Sequence, residues 1–269
     1  MTLRIISLNA WGGRLHAPLI DYLREADPDV LCLQEVTRTA GRTDGWLLYR
    51  DGPLELPQRA NLFADLRTAL PDHDAFFAPV ARGDLFDGDE ALPSEFGLAT
   101  FVRSSYPVVG QALSFVHGSY SPDGWGPHPR SRNAHCIRIY SAESRRFFSV
   151  AQMHGLRELS GKQDTPARIA QAHALARVID QVRQPNDGLI VCGDFNVLPD
   201  SRTFEILGGL GLTDLVTSRG FTDTRTSWYE KSGRYADYLL VDGGIAVQRF
   251  EVAAEPEVSD HRALLLDIA

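Results

Sequence analysis

Short apolar runs recur along most of the chain, separated by polar segments rich in glycine and proline. Strands are predicted at such runs near residues 3–8, 29–34, 97–103, 134–140, 146–153, 188–193, 236–241, 246–252 and 262–268. Several of them, such as residues 29–34, are apolar at nearly every position. Dense apolar runs of this kind are typical of strands that are buried on both faces.

Between some of these runs the apolar positions recur at the spacing of a helix. Helices are predicted over residues 16–25, 58–70, 166–183 and 203–207. The third is the clearest, because Thr165 can cap it and Pro166 suits its first turn. An apolar stripe that includes Ile169, Ala172 and Ala176 then follows along one side.

The order of the elements predicts the architecture. Strands alternate with helices early and late, while the middle of the chain is rich in antiparallel hairpins. This mixture predicts an α/β fold in which two sheets pack face to face with helices outside. Residues 38–57, 82–96 and 117–133 are predicted to be long loops, and loops of this length are candidates for the walls of a substrate cleft.

Composition narrows the class of protein. With 269 residues, 43% of them hydrophobic and 23% charged, the chain is expected to be globular and ordered. Its three cysteines, Cys32, Cys136 and Cys192, lie in apolar runs and are predicted to be buried, reduced thiols. There is no apolar run long enough for a membrane span and no signal peptide, so a cytoplasmic setting is expected. The formal charge of −8 argues against a globally basic nucleic-acid binder.

Polar residues follow several of the predicted strands at their ends. Gly193-Asp194-Phe195-Asn196 comes directly after a buried run, and its carboxylate and carboxamide suit the positioning of a water and a phosphate oxygen. The same residue types also form turns, so this segment alone leaves both interpretations open. Glu35 ends another buried run, where a carboxylate is costly unless it is paired or bound to a metal.

The strand-end motifs occur in one fixed order: Leu8-Asn9-Ala10-Trp11-Gly12, Leu33-Gln34-Glu35-Val36, Met153-His154-Gly155-Leu156, Gly193-Asp194-Phe195-Asn196, Ala236-Asp237-Tyr238-Leu239-Leu240-Val241 and Ser259-Asp260-His261. Together they resemble the endonuclease/exonuclease/phosphatase superfamily, which has the pancreatic-deoxyribonuclease-like fold. The resemblance extends from residue 3 to residue 268. It implies a single domain over residues 1–269, folded as a four-layer sandwich with two mixed β-sheets flanked by helices.

The resemblance also implies an activity and a set of roles. The activity is hydrolysis of a phosphodiester or phosphomonoester, with Mg²⁺, or Mn²⁺, as the cofactor. The metal ligands would be Asn9, Glu35 and Asp260, and the catalytic residues would be His154, Asp194, Asn196, Asp237 and His261. Asp194 would orient or deprotonate the attacking water. His261 would contact the phosphate and Asp237 would orient its ring, which would favour the charged imidazole.

Several alternatives remain open at the level of the substrate. Arg130 and Arg132 are candidate phosphate contacts, and Trp228 and Tyr229 could stack on a base, a lipid or a sugar. A nuclease acting on DNA or RNA would use the same core, and a nucleotide is another possible partner. A catalytically silent binding domain would be expected to have lost site residues, whereas a zinc hydrolase would favour ligands rich in histidine.

Overall fold

The computed structural model describes residues 2–269. Its strands are β1 Leu3–Asn9, β2 Val30–Thr39, β3 Trp46–Asp51, β4 Leu54–Arg59, β5 His73–Asp87, β6 Glu90–Arg103, β7 Val108–His117, β8 Arg132–Ser141, β9 Arg146–His154, β10 Gly188–Asp194, β11 Leu212–Asp214, β12 Asp237–Asp242, β13 Val247–Val252 and β14 Leu264–Ile268. Its α-helices are α1 His16–Ala26, α2 Leu62–Ala69, α3 Pro166–Asp180, α4 Arg202–Gly208 and α5 Leu215–Ser218, and a 3₁₀ turn covers Trp11–Gly13.

The strands form two mixed sheets. The 8-stranded sheet has the order β13-β14-β1-β2-β6-β5-β3-β4, and the 6-stranded sheet has the order β11-β12-β10-β9-β8-β7. Each sheet contains one parallel pair at its centre, β1 with β2 and β9 with β10. The other pairs recorded in both sheets are antiparallel.

Alternating side chains explain why the central strands carry apolar residues on both faces. Ile5 of β1 and Cys32 of β2 belong to the core that the two sheets share. Their neighbours Ile6 and Leu31 point the other way and pack with α1 and α2. On the 6-stranded sheet, α3 lies against β7, β8 and β9. The result is the predicted four-layer α/β sandwich, with helices outside two packed sheets.

Two of the predicted loops are strands instead. Residues 38–57 contain the end of β2, the strand β3 and most of β4, and residues 82–96 form the outer half of the β5–β6 hairpin. That hairpin remains paired out to Asp87 opposite Glu90. The prediction was wrong because these strands project beyond the shared core, so their polar and charged residues hide the apolar alternation. Helix α2 is also shorter than predicted, since Asn61 caps it and residues 54–59 are strand β4.

The remaining predictions about the frame are confirmed. All three cysteines are free and buried. Thr165 caps α3 by accepting a hydrogen bond from the backbone of Arg168, with Pro166 in the first turn. The segment between β7 and β8 is a loop over most of its length. Among residues 2–269 there is no helix both long and apolar enough to cross a bilayer.

Candidate active site

The polar strand ends meet because the parallel pairs of both sheets finish at the same edge of the sandwich. In the 8-stranded sheet, Asn9 at the end of β1 is in register with Gln34, next to Glu35. In the 6-stranded sheet, Asp194 at the end of β10 is flanked by His154 of β9 and Asp237 of β12. Crevices at the carboxyl ends of parallel strands are the usual place for ligands in α/β sheets.

Asp194 lies at the centre of this cluster and is buried. Its Oδ2 accepts a hydrogen bond from Asn9 Nδ2 at 3.1 Å. The same oxygen lies 3.8 Å from His154 Nε2 and 3.7 Å from His261 Nε2. One carboxylate oxygen is therefore placed between two imidazoles and a carboxamide that come from two different strands and a loop.

The backbone around Asp194 is held by an unusual local conformation. Gly193 has φ +135°, and a Cβ there would lie 2.1 Å from the carbonyl oxygen of Met153, so only glycine fits beside β9. Asn196 has φ +53°, a conformation that is uncommon for residues other than glycine. Its backbone N–H donates to Asp194 Oδ1 at 3.1 Å, which fixes the carboxylate.

Glu35 is presented to the same point by a β-bulge. The register between β2 and β6 shifts between Leu33 and Val36, and Glu35 has φ +58°. Bulges of this kind re-aim a side chain and are common beside active sites. Directly before it, Gln34 donates from Nε2 to Gln152 Oε1 at 2.9 Å and so ties the two sheets together beneath the site.

The Glu35 carboxyl group lies in a cluster of acids. Its Oε1 is 3.8 Å from His154 Nε2, and a quarter of its side chain (25%) reaches solvent. Burial is the main cause that raises the pKa of Glu35 to about 7, and the negative charges of Asp260 and Asp194 act in the same direction. The nearby Asn9 amide and the Arg132 guanidinium oppose this rise.

His261 and Asp237 form the expected acid–histidine pair, in which His261 Nδ1 donates to Asp237 Oδ2 at 2.8 Å. The expectation of a charged imidazole is wrong for this structure. Arg225 contacts His261 Nε2, and because a guanidinium can only donate, this nitrogen must accept and the ring is neutral. Burial first and the charge of Arg225 second lower the pKa of His261 to about 4.

One group of side chains meets the distances of a cation site. Ligand atoms of Asp194, Asp237 and His261 lie within 4.8 Å of one another. Both ring nitrogens of His261 are, however, already engaged by Asp237 and Arg225. The predicted set of Asn9, Glu35 and Asp260 suits a hard cation better by its chemistry, because all three side chains offer oxygen donors and the negative charges of Asp260 and Asp194 act on Glu35.

A comparison with sequence profiles identifies the family. The profile of the Endonuclease/Exonuclease/phosphatase family matches residues 6–261. The chain belongs to the endonuclease/exonuclease/phosphatase family. No curated protein matches this chain.

Solved structures of the family share the fold at low sequence identity. The endonuclease/exonuclease/phosphatase from Bacteroides vulgatus is 18% identical with a TM-score of 0.69, and the alignment covers 100% of this chain and 99% of that chain. The mannosyl-6-phosphatase of Bacteroides thetaiotaomicron is 16% identical with a TM-score of 0.70, with 99% of each chain covered. TDP2 of D. rerio, complexed with a single strand DNA product, is 15% identical with a TM-score of 0.64, covering 100% of this chain and 99% of that chain.

The substrate-binding candidates have separate positions in this family member. Arg132 begins β8 and is buried, and its Nε donates to the carbonyl of Gly155 at 2.8 Å. Arg130 pairs with Asp51 at 2.8 Å, on the side of the 8-stranded sheet. Trp228 is exposed and lies against Trp11, with ring centroids 6.3 Å apart. Tyr229 lies under the Arg225 guanidinium, whose Cζ is 4.3 Å from the ring centroid.

Sequence reasoning missed two cationic residues at the site. Arg225 is buried, and its Nη1 donates to Asp260 Oδ2 at 3.0 Å and also contacts His261 Nε2. Lys162 donates to the backbone carbonyls of Tyr235 and Gly233, and the negative charges of Asp194 and Asp237 oppose the burial that lowers its pKa. Neither residue adjoins a motif that ends a strand, so the sequence pattern held no signal for them.

Proposed function

We propose that this chain is a divalent-metal-dependent phosphoesterase, in which Asp194 activates a water for attack on phosphorus. The observation that carries the proposal is the position of Asp194 Oδ2, 3.8 Å from His154 Nε2 and 3.7 Å from His261 Nε2. A base placed between two imidazoles suits a reaction in which a water loses a proton while negative charge develops on phosphate oxygens.

The metal would be held by Asn9, Glu35 and Asp260. Carboxylate and amide oxygens suit Mg²⁺ or Mn²⁺, which usually retain several waters and bind substrate phosphate as well. When bound, such an ion supplies positive charge to the phosphate and lowers the pKa of a coordinated water. The Asn9 oxygen accepts the Trp11 N–H at 3.0 Å and retains a second lone pair for a ligand bond.

The remaining residues would bind and orient the ester. Asn196 would hold the water or a phosphate oxygen, and His154 would be a second phosphate contact or the donor to the leaving group. Asp237 fixes the His261 ring through Nδ1, so Nε2 lies beside Asp194 and in contact with Arg225. We add Arg225 to this group, because it brings to His261 the positive charge that the neutral imidazole lacks.

The other functions considered have less support. A catalytically silent domain would not need all eight predicted residues. These residues nevertheless form one connected cluster at one edge of the sandwich. A nuclease shares the core with any phosphoesterase, and a relative is complexed with single-stranded DNA. The net charge of −8 does not favour duplex binding. We further propose that residues 1–269 form one domain in a cytoplasmic protein.

The test is a hydrolysis screen of the purified chain against mononucleotides, short single strands, sugar phosphates and phospholipids. Each substrate is incubated with Mg²⁺, with Mn²⁺ and with EDTA. We expect hydrolysis of at least one phosphoester that requires the metal and is lost in His261→Ala. Hydrolysis that persists in EDTA, or no hydrolysis of any ester with either metal, would overturn the proposed function.

A further inference from the structure

A cavity adjoins the active site on the side of Glu35 and His154. It has a volume of about 270 Å³, and Glu35, Arg132 and His154 form the wall that it shares with the site. Its other walls come from the β3–β4 hairpin, from β5 and β6, and from the loop before β8. A group attached to a phosphate bound at the site would therefore extend into this cavity.

The far wall of the cavity is aromatic. Trp125 lies 5.8 Å from Tyr49 at an interplanar angle of 59°, and 6.3 Å from Phe96 at 80°. The three rings thus form a tilted cluster in the wall of the cavity. Aromatic walls with a few placed polar groups are typical of sites for small planar ligands.

Trp125 is positioned by its own loop. The loop pairs with β5, since Arg82 N–H donates to the Ser121 carbonyl at 2.8 Å and Ser121 Oγ donates to the Gly124 carbonyl at 2.8 Å. The indole then lies on the backbone of Gly83, where a Cβ would be 2.5 Å from the ring. The ring is therefore held in place before any ligand binds, which lowers the entropic cost of stacking.

Polar groups in the cavity indicate a heteroaromatic ring rather than an alkyl chain. Arg130 has its Cζ 5.7 Å from the Tyr49 ring centroid, and its buried Nε has no hydrogen-bond partner among residues 2–269. The Tyr49 hydroxyl donates to Asp51 at 3.1 Å, and His128 also lines the wall. A base with ring nitrogens and carbonyl oxygens can accept from Arg130 Nε, whereas an alkyl chain would leave this donor unpaired.

The size of the cavity limits the ligand. Its volume of about 270 Å³ lies just below the roughly 300–1,000 Å³ of pockets for drug-sized ligands. One ring system with part of a sugar fits this space, and a stacked run of bases does not. Arg157 also lines the cavity; it is exposed and has no hydrogen-bond or ion-pair partner within the described part of the chain, so it adds a free positive charge to the wall.

We propose that this cavity binds the base of a nucleotide, so that the preferred substrates are phosphoesters of a single nucleoside. The inference rests on the proposed function, because it places the scissile phosphate at Asp194 and His261. It adds the substrate class: Tyr49, Phe96 and Trp125 contact the base, and Arg130 donates to it.

The test compares two esters that differ only in the base. With Mg²⁺, kcat/KM is measured for a nucleoside 5′-monophosphate and for ribose 5-phosphate, and for the methyl diester of each. We expect the nucleotide to be preferred at least about tenfold, and Trp125→Ala to remove about five- to 150-fold of its kcat/KM, the range of base–aromatic stacking. Ribose 5-phosphate should change by less than about twofold in the same variant. Trp125→Phe should restore most of the preference.

Binding is measured separately, without turnover, by calorimetry with the same nucleotide and ribose 5-phosphate. Trp46→Ala is the matched control, since Trp46 lies on the β3–β4 hairpin that carries Tyr49, is 47% exposed and does not line the cavity. Nucleotide binding that depends on Trp125 without hydrolysis of any ester would support the cavity and overturn the proposed function. Hydrolysis with no advantage for the base would overturn the inference and leave the proposed function standing.

Discussion

Gly193 gives the most direct test of how the fold positions the site. The Gly193→Ala substitution places a Cβ 2.1 Å from the Met153 carbonyl oxygen and 3.2 Å from two further backbone atoms of that residue. The φ of +135° is in addition a conformation that only glycine adopts readily. The new atom meets backbone on a paired strand, so no side-chain rotation can relieve the contact.

The expected cost follows from these two effects. A side chain held in a glycine-only conformation costs about 1–3 kcal/mol. Forcing an extra carbon into a packed interior costs about 1–3 kcal/mol more. The sum, about 2–6 kcal/mol, is a large part of the 5–15 kcal/mol by which a domain is typically stable. Because Met153 adjoins His154 and Gly193 adjoins Asp194, hydrolysis should fall as well.

Urea unfolding followed by circular dichroism measures this cost. The control is Gly208→Ala at the end of α4, where nothing lies within 4 Å of the added Cβ. The control should unfold within about 1 kcal/mol of the wild type, because alanine favours a helix over glycine by about that amount. A Gly193→Ala protein as stable as this control would refute the close approach of β9 and β10.

Three further predictions concern the site and its support. Burial raises the pKa of Glu35 to about 7 in the metal-free chain, and Mg²⁺ binds the carboxylate form. The apparent Mg²⁺ affinity, measured by calorimetry, should therefore weaken about tenfold from pH 8 to pH 6. Equal affinity at the two pH values would contradict this prediction. Asp237→Asn should lower kcat by about 10²–10⁴ with a small change in melting temperature, because a neutral amide, which can donate as well as accept, no longer fixes the proton on His261 Nδ1. Unchanged kcat would argue against the pair. Arg168 is 1% exposed and pairs with Glu158 at 2.8 Å. Arg168→Ala should lower the free energy of unfolding by about 3–5 kcal/mol, measured by thermal unfolding. A loss below about 1 kcal/mol would contradict a supporting role for this buried pair.

The frame of the molecule follows from its apolar runs. Strands such as β1, β2 and β10 are buried on both faces, so each contains a run of apolar residues that stands out in the sequence. The β5–β6 hairpin could not be found in this way over its outer half. There the strands are held by their mutual hydrogen bonds, and few of their side chains enter a core.

The predicted site residues come together for a related reason. Asn9, His154 and Asp194 end strands of the two parallel pairs, and Glu35 lies at the bulge of β2, so the register of those pairs brings these residues to one edge. Asp237 begins β12 opposite Asp194, and Asp260 and His261 lie in the loop before β14. Arg225 and Trp125 could not be foreseen, because both lie on loops and meet the site only through contacts distant in sequence. The charge of His261 was misjudged for the same reason, since it depends on Arg225 as well as on Asp237.

The central claim is that Asp194 activates the water that attacks phosphorus. It is tested most directly by the rate of Mg²⁺-dependent hydrolysis of the preferred ester in Asp194→Asn. Asp267→Asn is the control, since Asp267 is a buried aspartate of β14 that pairs with Arg4 of β1. The account predicts a loss of about 10²–10⁴-fold in kcat for Asp194→Asn, with a melting temperature no lower than that of the control. A kcat within about threefold of the wild-type value would contradict it.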